Sequence, residues 1–337
     1  MPKTVLCCHY NISQIGRFTM SKAKRTNIYM ICLLTLGILF SLSYSVFKLP
    51  RSGLTYDFSE IIYPGLAVLL FFLITKENPR RVLQFHRLSV KNILYIALLT
   101  ALFIPISAAI SLLTQLIFPN QYLVNQMSAM GSGPLWYALI ISAVIPAVLE
   151  EMSFRGIVRD GYGGFSLRKQ AIIVGLFFGF FHLDFNQFFY AAAIGFFMAY
   201  VFYYTQSIIS TMILHFLNNS LSVVVSHFVQ GNSALQAAGN APDTFSAGVM
   251  ITAYVFLAVI VAVDCLLFRL AYRSFVKYNK KRRGGSEWEE IAENAEPEAN
   301  PETNPVRNKL FTPTFFVVAG LFVLFAAFVQ VYDNLYH

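Results

Sequence analysis

The sequence predicts an all-α, polytopic transmembrane helix bundle, and three observations carry that prediction. Hydrophobic residues make up 56% of the 337 residues and charged ones only 12%, where a globular chain is about a quarter charged. Nine apolar stretches approach or exceed the helix length, about 20 residues, that crosses a bilayer core. The basic residues behind the formal net charge of +8 sit in short clusters between those stretches, as in loops held on the cytoplasmic side. These counts argue against a soluble enzyme, a nucleic-acid binder and a disordered scaffold.

The nine stretches are 28–47, 58–75, 93–118, 135–158, 169–184, 187–205, 207–229, 248–270 and 311–332. The fifth and sixth are short and separated only by Leu183, Asp184, Phe185 and Asn186, which predicts a tight helical hairpin. The loops supply the orientation. Lys22, Lys24 and Arg25 precede the first stretch; Lys76, Arg80, Arg81, Arg87 and Lys91 face one acid, Glu77, in 76–92. Residues 119–134 carry no charge, 155–169 carry Arg155, Arg159, Arg168 and Lys169, and 269–283 carry seven basic residues. One alternation satisfies every loop: a multi-pass protein of the cell membrane with its N-terminus cytoplasmic and its C-terminus extracellular. From 284 to 310, seven glutamates and three prolines predict a disordered, solvated linker to the last helix. The four cysteines, Cys7, Cys8, Cys32 and Cys265, form no disulfide framework. No cleavable signal is evident, and Met20 before Ser-Lys-Ala-Lys-Arg reads like a start.

Ionisable groups inside a bilayer are costly, so they are function candidates. Between Asp184 and Asp243 there is no Asp, Glu, Lys or Arg. Against that background three groups stand out. In the first, Glu151 and Arg155 are four residues apart and share a helix face, while Glu150 is turned about 100° away and left freer to act as a base. Pro146, just ahead, removes one helical hydrogen bond and predicts a kink. In the second, Phe178 and His182 align on a helix whose Gly175 and Gly179 allow close approach of a neighbour. In the third, His215 and Asn219 point the same way and can donate together to a developing oxyanion, with Asn218 off that face. Each group also has a structural reading, as an interfacial charge cluster, a packing histidine or interhelical hydrogen bonds.

Glu-Glu-x-x-x-Arg, then Phe-x-x-x-His, then His-x-x-x-Asn, in this order on neighbouring spans, resembles the CPBP family of intramembrane proteases. That family includes the type II CAAX prenyl endopeptidases and the Abi, bacteriocin-immunity-like proteins. The resemblance covers about 135–229. It implies that Glu150 activates water with the help of His182, that His215 and Asn219 stabilise the oxyanion, and that Glu151 and Arg155, with Phe178, support the site. The organisation that follows is an N-terminal cytoplasmic segment (1–27), N-terminal transmembrane helices (28–134) and a CPBP/Abi-type catalytic core (135–229). An eighth transmembrane helix with its basic flank (230–283), the Glu-rich linker (284–310) and a C-terminal transmembrane helix (311–337) complete it.

Two chemistries fit these side chains. Glu150, His182 and His215 are nitrogen and oxygen donors of the kind that ligate zinc, but the spacing is not His-Glu-x-x-His. A glutamate-activated water needs no cofactor and uses Asn219, a poor zinc ligand. The expected partners are the bilayer and a peptide or protein substrate, in peptide maturation, prenyl-peptide processing or bacteriocin immunity, with no nucleic acid. Straight helices along the membrane normal would leave Glu150 and His182 about 12 Å apart in depth, unless the first helix continues past Arg155 or the helices tilt. The alternative function is a carrier or scaffold using Glu150, Asp184 and Asp264 as proton or ion sites.

Overall fold

The computed structural model describes residues 21–47, 54–119, 134–232, 247–283 and 310–336. Cys7, Cys8, Met20, Asp243 and the Glu-rich stretch up to residue 309 lie outside the described residues. Among the described residues all regular structure is helical. In chain order the helices are α1 (Lys22–Val46), α2 (Leu54–Thr75), α3 (Pro79–Leu83), α4 (Val90–Ile117) and α5 (Leu135–Gly161). Then follow α6 (Leu167–Phe181), α7 (Phe185–Thr205), α8 (Ile208–Gln230), α9 (Ala247–Arg282) and α10 (Pro313–Tyr336).

All nine apolar stretches are helical, and the protein is a multi-pass membrane bundle. Among the described residues, seven helices are long and apolar enough to cross a membrane. The other two predicted spans are shorter: the apolar part of α2 is Ile61–Thr75, and α6 has 15 residues, about 22 Å of rise against a core of about 30 Å. Two loop assignments are corrected. The basic stretch 269–283 is helical almost throughout, because α9 runs on for 36 residues to Arg282. Arg155 is no loop residue; it is fully buried within α5.

Helix α5 departs most from regularity. Pro146 stands at the start of the regular segment Ile145–Glu151, and π turns of five and seven residues bracket it at Ile140–Val144 and Met152–Val158. A proline cannot donate to the carbonyl four residues back, and π turns, rare in general, occur mostly as single-turn bulges inside α-helices. The helix then continues to Gly161. That continuation halves the expected depth mismatch. Counted from the Gly161/Leu167 end, Glu150 lies about 16 Å up α5 and His182 about 22 Å up α6, a difference of about 6 Å.

The hairpin of α6 and α7 is the tightest pairing in the bundle. A Cβ on Gly175 would meet the Ala192 carbonyl oxygen at 2.7 Å, and one on Gly195 would meet the Phe178 Cβ at 2.9 Å. Backbone cannot move aside as a flexible side chain can, so these glycines set the interhelical distance. Asp184 caps α7 by accepting from the Gln187 amide at 2.8 Å, while Leu183, at φ 55°, makes the turn. Behind them, α4 and α9 are joined by a reciprocal Asn92–Asn279 amide pair, 3.0 and 2.9 Å, buried on both sides.

Helix α10 packs against the core beside α1. Asn27 on α1 donates to Thr312 and Thr314 at 2.8 and 3.0 Å and accepts from the Tyr162 hydroxyl at 2.6 Å. Further along, Phe315 packs on Phe177, and Phe322 stacks among Phe180, Phe185 and Phe188. One end of the bundle carries charge: Asp160 pairs with Lys22 and Arg81, and Glu77 with Arg25 and Arg81. At the opposite end Gln330 of α10 donates to the Pro119 carbonyl.

Candidate active site

The three polar groups meet where α5, α6 and α8 face one another. Arg155 Nη1 donates to Glu151 Oε1 at 2.8 Å, one turn along α5, and both side chains are fully buried. The rest of the guanidinium is held from α7 and α6: Nη2 approaches the Gly195 carbonyl and Met198 Sδ, both at 3.3 Å, and Cζ lies 4.6 Å from the centre of the Phe178 ring. A planar cation over an aromatic face is attractive, more so out of water. Gly195 and Met198 were not singled out from the sequence; Gly195 interrupts an apolar run, and Met198 leaves no signal at all.

From α8, His215 Nδ1 lies 3.0 Å from the same Glu151 oxygen. A carboxylate paired to arginine accepts only, so Nδ1 carries the proton and donates. The other ring nitrogen, Nε2, then faces Glu150, whose Oε2 is 3.9 Å away. Glu150 is therefore not set apart from the charged cluster, as its turned-away position on α5 predicts; His215 links the two adjacent glutamates from across the helix interface.

His182 closes α6. Its Nδ1 lies 2.8 Å from the Phe178 carbonyl one turn earlier, and by the same reasoning it donates there and leaves Nε2 as the open nitrogen. The Phe178 ring packs edge-on against both imidazoles, with centroids 5.1 Å from His182 and 5.7 Å from His215. Phe178 thus touches Arg155, His182 and His215 at once, and Phe154 besides. Both histidines carry the same arrangement, Nδ1 anchored and Nε2 open.

Asn219, one turn beyond His215, donates from Nδ2 to the Ser142 carbonyl at 3.1 Å and accepts at Oδ1 from Asn218 at 3.2 Å. Asn218 lies off the His215–Asn219 face, yet its amide reaches its neighbour. The link to Ser142 joins α8 to the π turn of α5, a contact across 77 residues that no local pattern encodes.

Among the described residues no three His, Cys, Asp or Glu side chains are grouped as a metal site requires. Glu150, His182 and His215 are accordingly not such a group. The carboxylates of the carrier alternative are dispersed. Asp184 caps a helix, Glu150 sits with His215, and Asp264 is buried on α9.

Residues 132–221 match the family model described as type II CAAX prenyl endopeptidase Rce1-like. The matched segment holds α5, α6, α7 and most of α8, and with them every residue of the cluster. It is consistent with the CPBP family and supports a protease, a hydrolase acting on a peptide or protein substrate within a lipid bilayer. No curated protein and no solved structure matches the chain.

Proposed function

We propose that the protein is an intramembrane endopeptidase in which Glu150 activates the water that attacks the scissile carbonyl. The observation that carries this reading is the position of Glu150 Oε2, 3.9 Å from His215 Nε2, with His215 itself clamped by Glu151. In the first step Glu150 takes a proton from water as the oxygen attacks the carbonyl carbon. His182, with Nδ1 held by the Phe178 carbonyl, offers Nε2 as a second acceptor. The carbonyl oxygen becomes an oxyanion facing α8, where His215, beside Glu150, and Asn219, from Nδ2, stabilise it. Glu150 then returns the proton to the leaving amine, and the C–N bond breaks.

Glu151 and Arg155 do not touch the substrate in this scheme. Glu151 fixes the ring orientation of His215, as a buried carboxylate does in other histidine-based sites, and Arg155 supplies the opposite charge paired with Glu151. The substrate class is a peptide with a prenylated CAAX terminus, the class that the matched family's description carries. The reading also puts the protein in the cell membrane. The charged end, with Lys22, Arg25, Arg81 and Asp160, is cytoplasmic, and so is the start of α10 beside Asn27.

A quenched fluorogenic farnesylated CAAX peptide tests the reading with purified full-length protein in detergent. Cleavage that continues undiminished in Glu150→Gln sinks the assignment. Treatment with a zinc chelator is expected to leave cleavage unchanged; loss on chelation and recovery with added zinc would overturn the metal-free scheme.

A further inference from the structure

We propose that Pro146 and Asn218 are positioning residues for Asn219, acting through the Ser142 carbonyl oxygen and the Asn219 side-chain oxygen. In a regular helix the amide of residue 146 would donate to Ser142, four residues earlier. Proline has no such amide, and the π turn at Ile140–Val144 passes the neighbouring bond five residues back, from the Ile145 amide to Ile140. Asn219 Nδ2 takes that carbonyl instead, at 3.1 Å.

The consequence is geometric. A carbonyl oxygen only accepts, so the Asn219 amide must turn its nitrogen toward α5 and its oxygen away. Asn218 then donates to that oxygen at 3.2 Å. With both ends of the amide plane held, the second N–H of Nδ2 has a set direction, on the face of α8 that also carries His215. A donor fixed before charge develops costs no reorganisation when it does. The proline four residues ahead of Glu150 thus ties the base and the oxyanion donor to the same irregular helix. This inference rests on the reading of Asn219 as an oxyanion donor.

The test uses full-length protein and the farnesylated CAAX peptide, with kcat, KM and thermal unfolding measured for each variant. Asn219→Ala is expected to lower kcat by about 10²–10³. Pro146→Ala supplies the missing amide to Ser142, so a backbone donor competes with Asn219 for that carbonyl. We expect kcat to fall at least about tenfold with KM changed less than about twofold, the pattern of a transition-state interaction lost. The unfolding temperature should not fall, because the helix gains a hydrogen bond; a merely structural proline would give the opposite pair of results. In the double variant the two losses should be far from additive. Asn218→Ala should also lower kcat, by less than Pro146→Ala, and be non-additive with Asn219→Ala.

Unchanged kcat in Pro146→Ala, or additive losses, with Asn219→Ala still damaging, overturns this inference and leaves the proposed function standing. Unchanged kcat in both Asn219→Ala and Glu150→Gln overturns the proposed function, and the inference falls with it.

Discussion

Helix α5 carries two charge clusters that are built on opposite principles. Near its end, Asp160 pairs with Lys22 and Arg81, the partners 46% and 45% exposed. About one and a half turns earlier, Arg155 pairs with Glu151 and both are wholly out of solvent. The first cluster is screened by water and salt, and such pairs contribute little. The second has no water to fall back on, so each member depends on the others being present. The exposed cluster trims helix ends; the buried one holds His215 at a defined angle.

The largest effect on stability should follow from breaking the buried cluster. Arg155→Met leaves Glu151 buried without its cation, and the expected cost is about 3–5 kcal/mol, read as a lowered midpoint in thermal or denaturant unfolding in detergent. Glu151→Gln sharpens the comparison, because it removes charge but keeps shape. It also leaves Arg155 buried without its anion, so stability should fall too, and kcat should fall by about 10²–10⁴, since the His215 ring loses the charged acceptor that fixes its proton on Nδ1. A wild-type kcat in that variant would mean that the buried cluster only holds the fold. The smallest effect belongs to the exposed cluster. Asp160→Asn should change stability by less than about 1 kcal/mol, and by still less at high salt.

The difference between the clusters also marks how far the sequence could be read. The nine helical stretches were legible because a bilayer imposes length and hydropathy directly. The Glu151–Arg155 pair and the close-approach glycines Gly175 and Gly179 follow from periodicity within one helix. The family resemblance reached Glu150, His182, His215 and Asn219 together. What periodicity could not supply was anything that crosses helices. The edge-on packing of Phe178 against two histidines and the Gly195 and Met198 contacts of Arg155 depend on how α5, α6, α7 and α8 meet. So does the capture of the Ser142 carbonyl by Asn219. Pro146 announced a defect in α5, but the π turns that bracket it and the extension to Gly161 are choices of tertiary packing. Arg155 misled the charge count for that reason: its charge marks a buried site, not a loop.

The central claim is that Glu150 is the base that activates water. The most direct measurement is the rate of cleavage of the farnesylated CAAX peptide by full-length Glu150→Gln, beside wild type, with peptide binding and unfolding followed on the same samples. The account predicts that kcat falls by about 10²–10⁴, the scale of a lost general base, while binding and stability stay near wild type. Cleavage at the wild-type rate by a folded Glu150→Gln protein would contradict it.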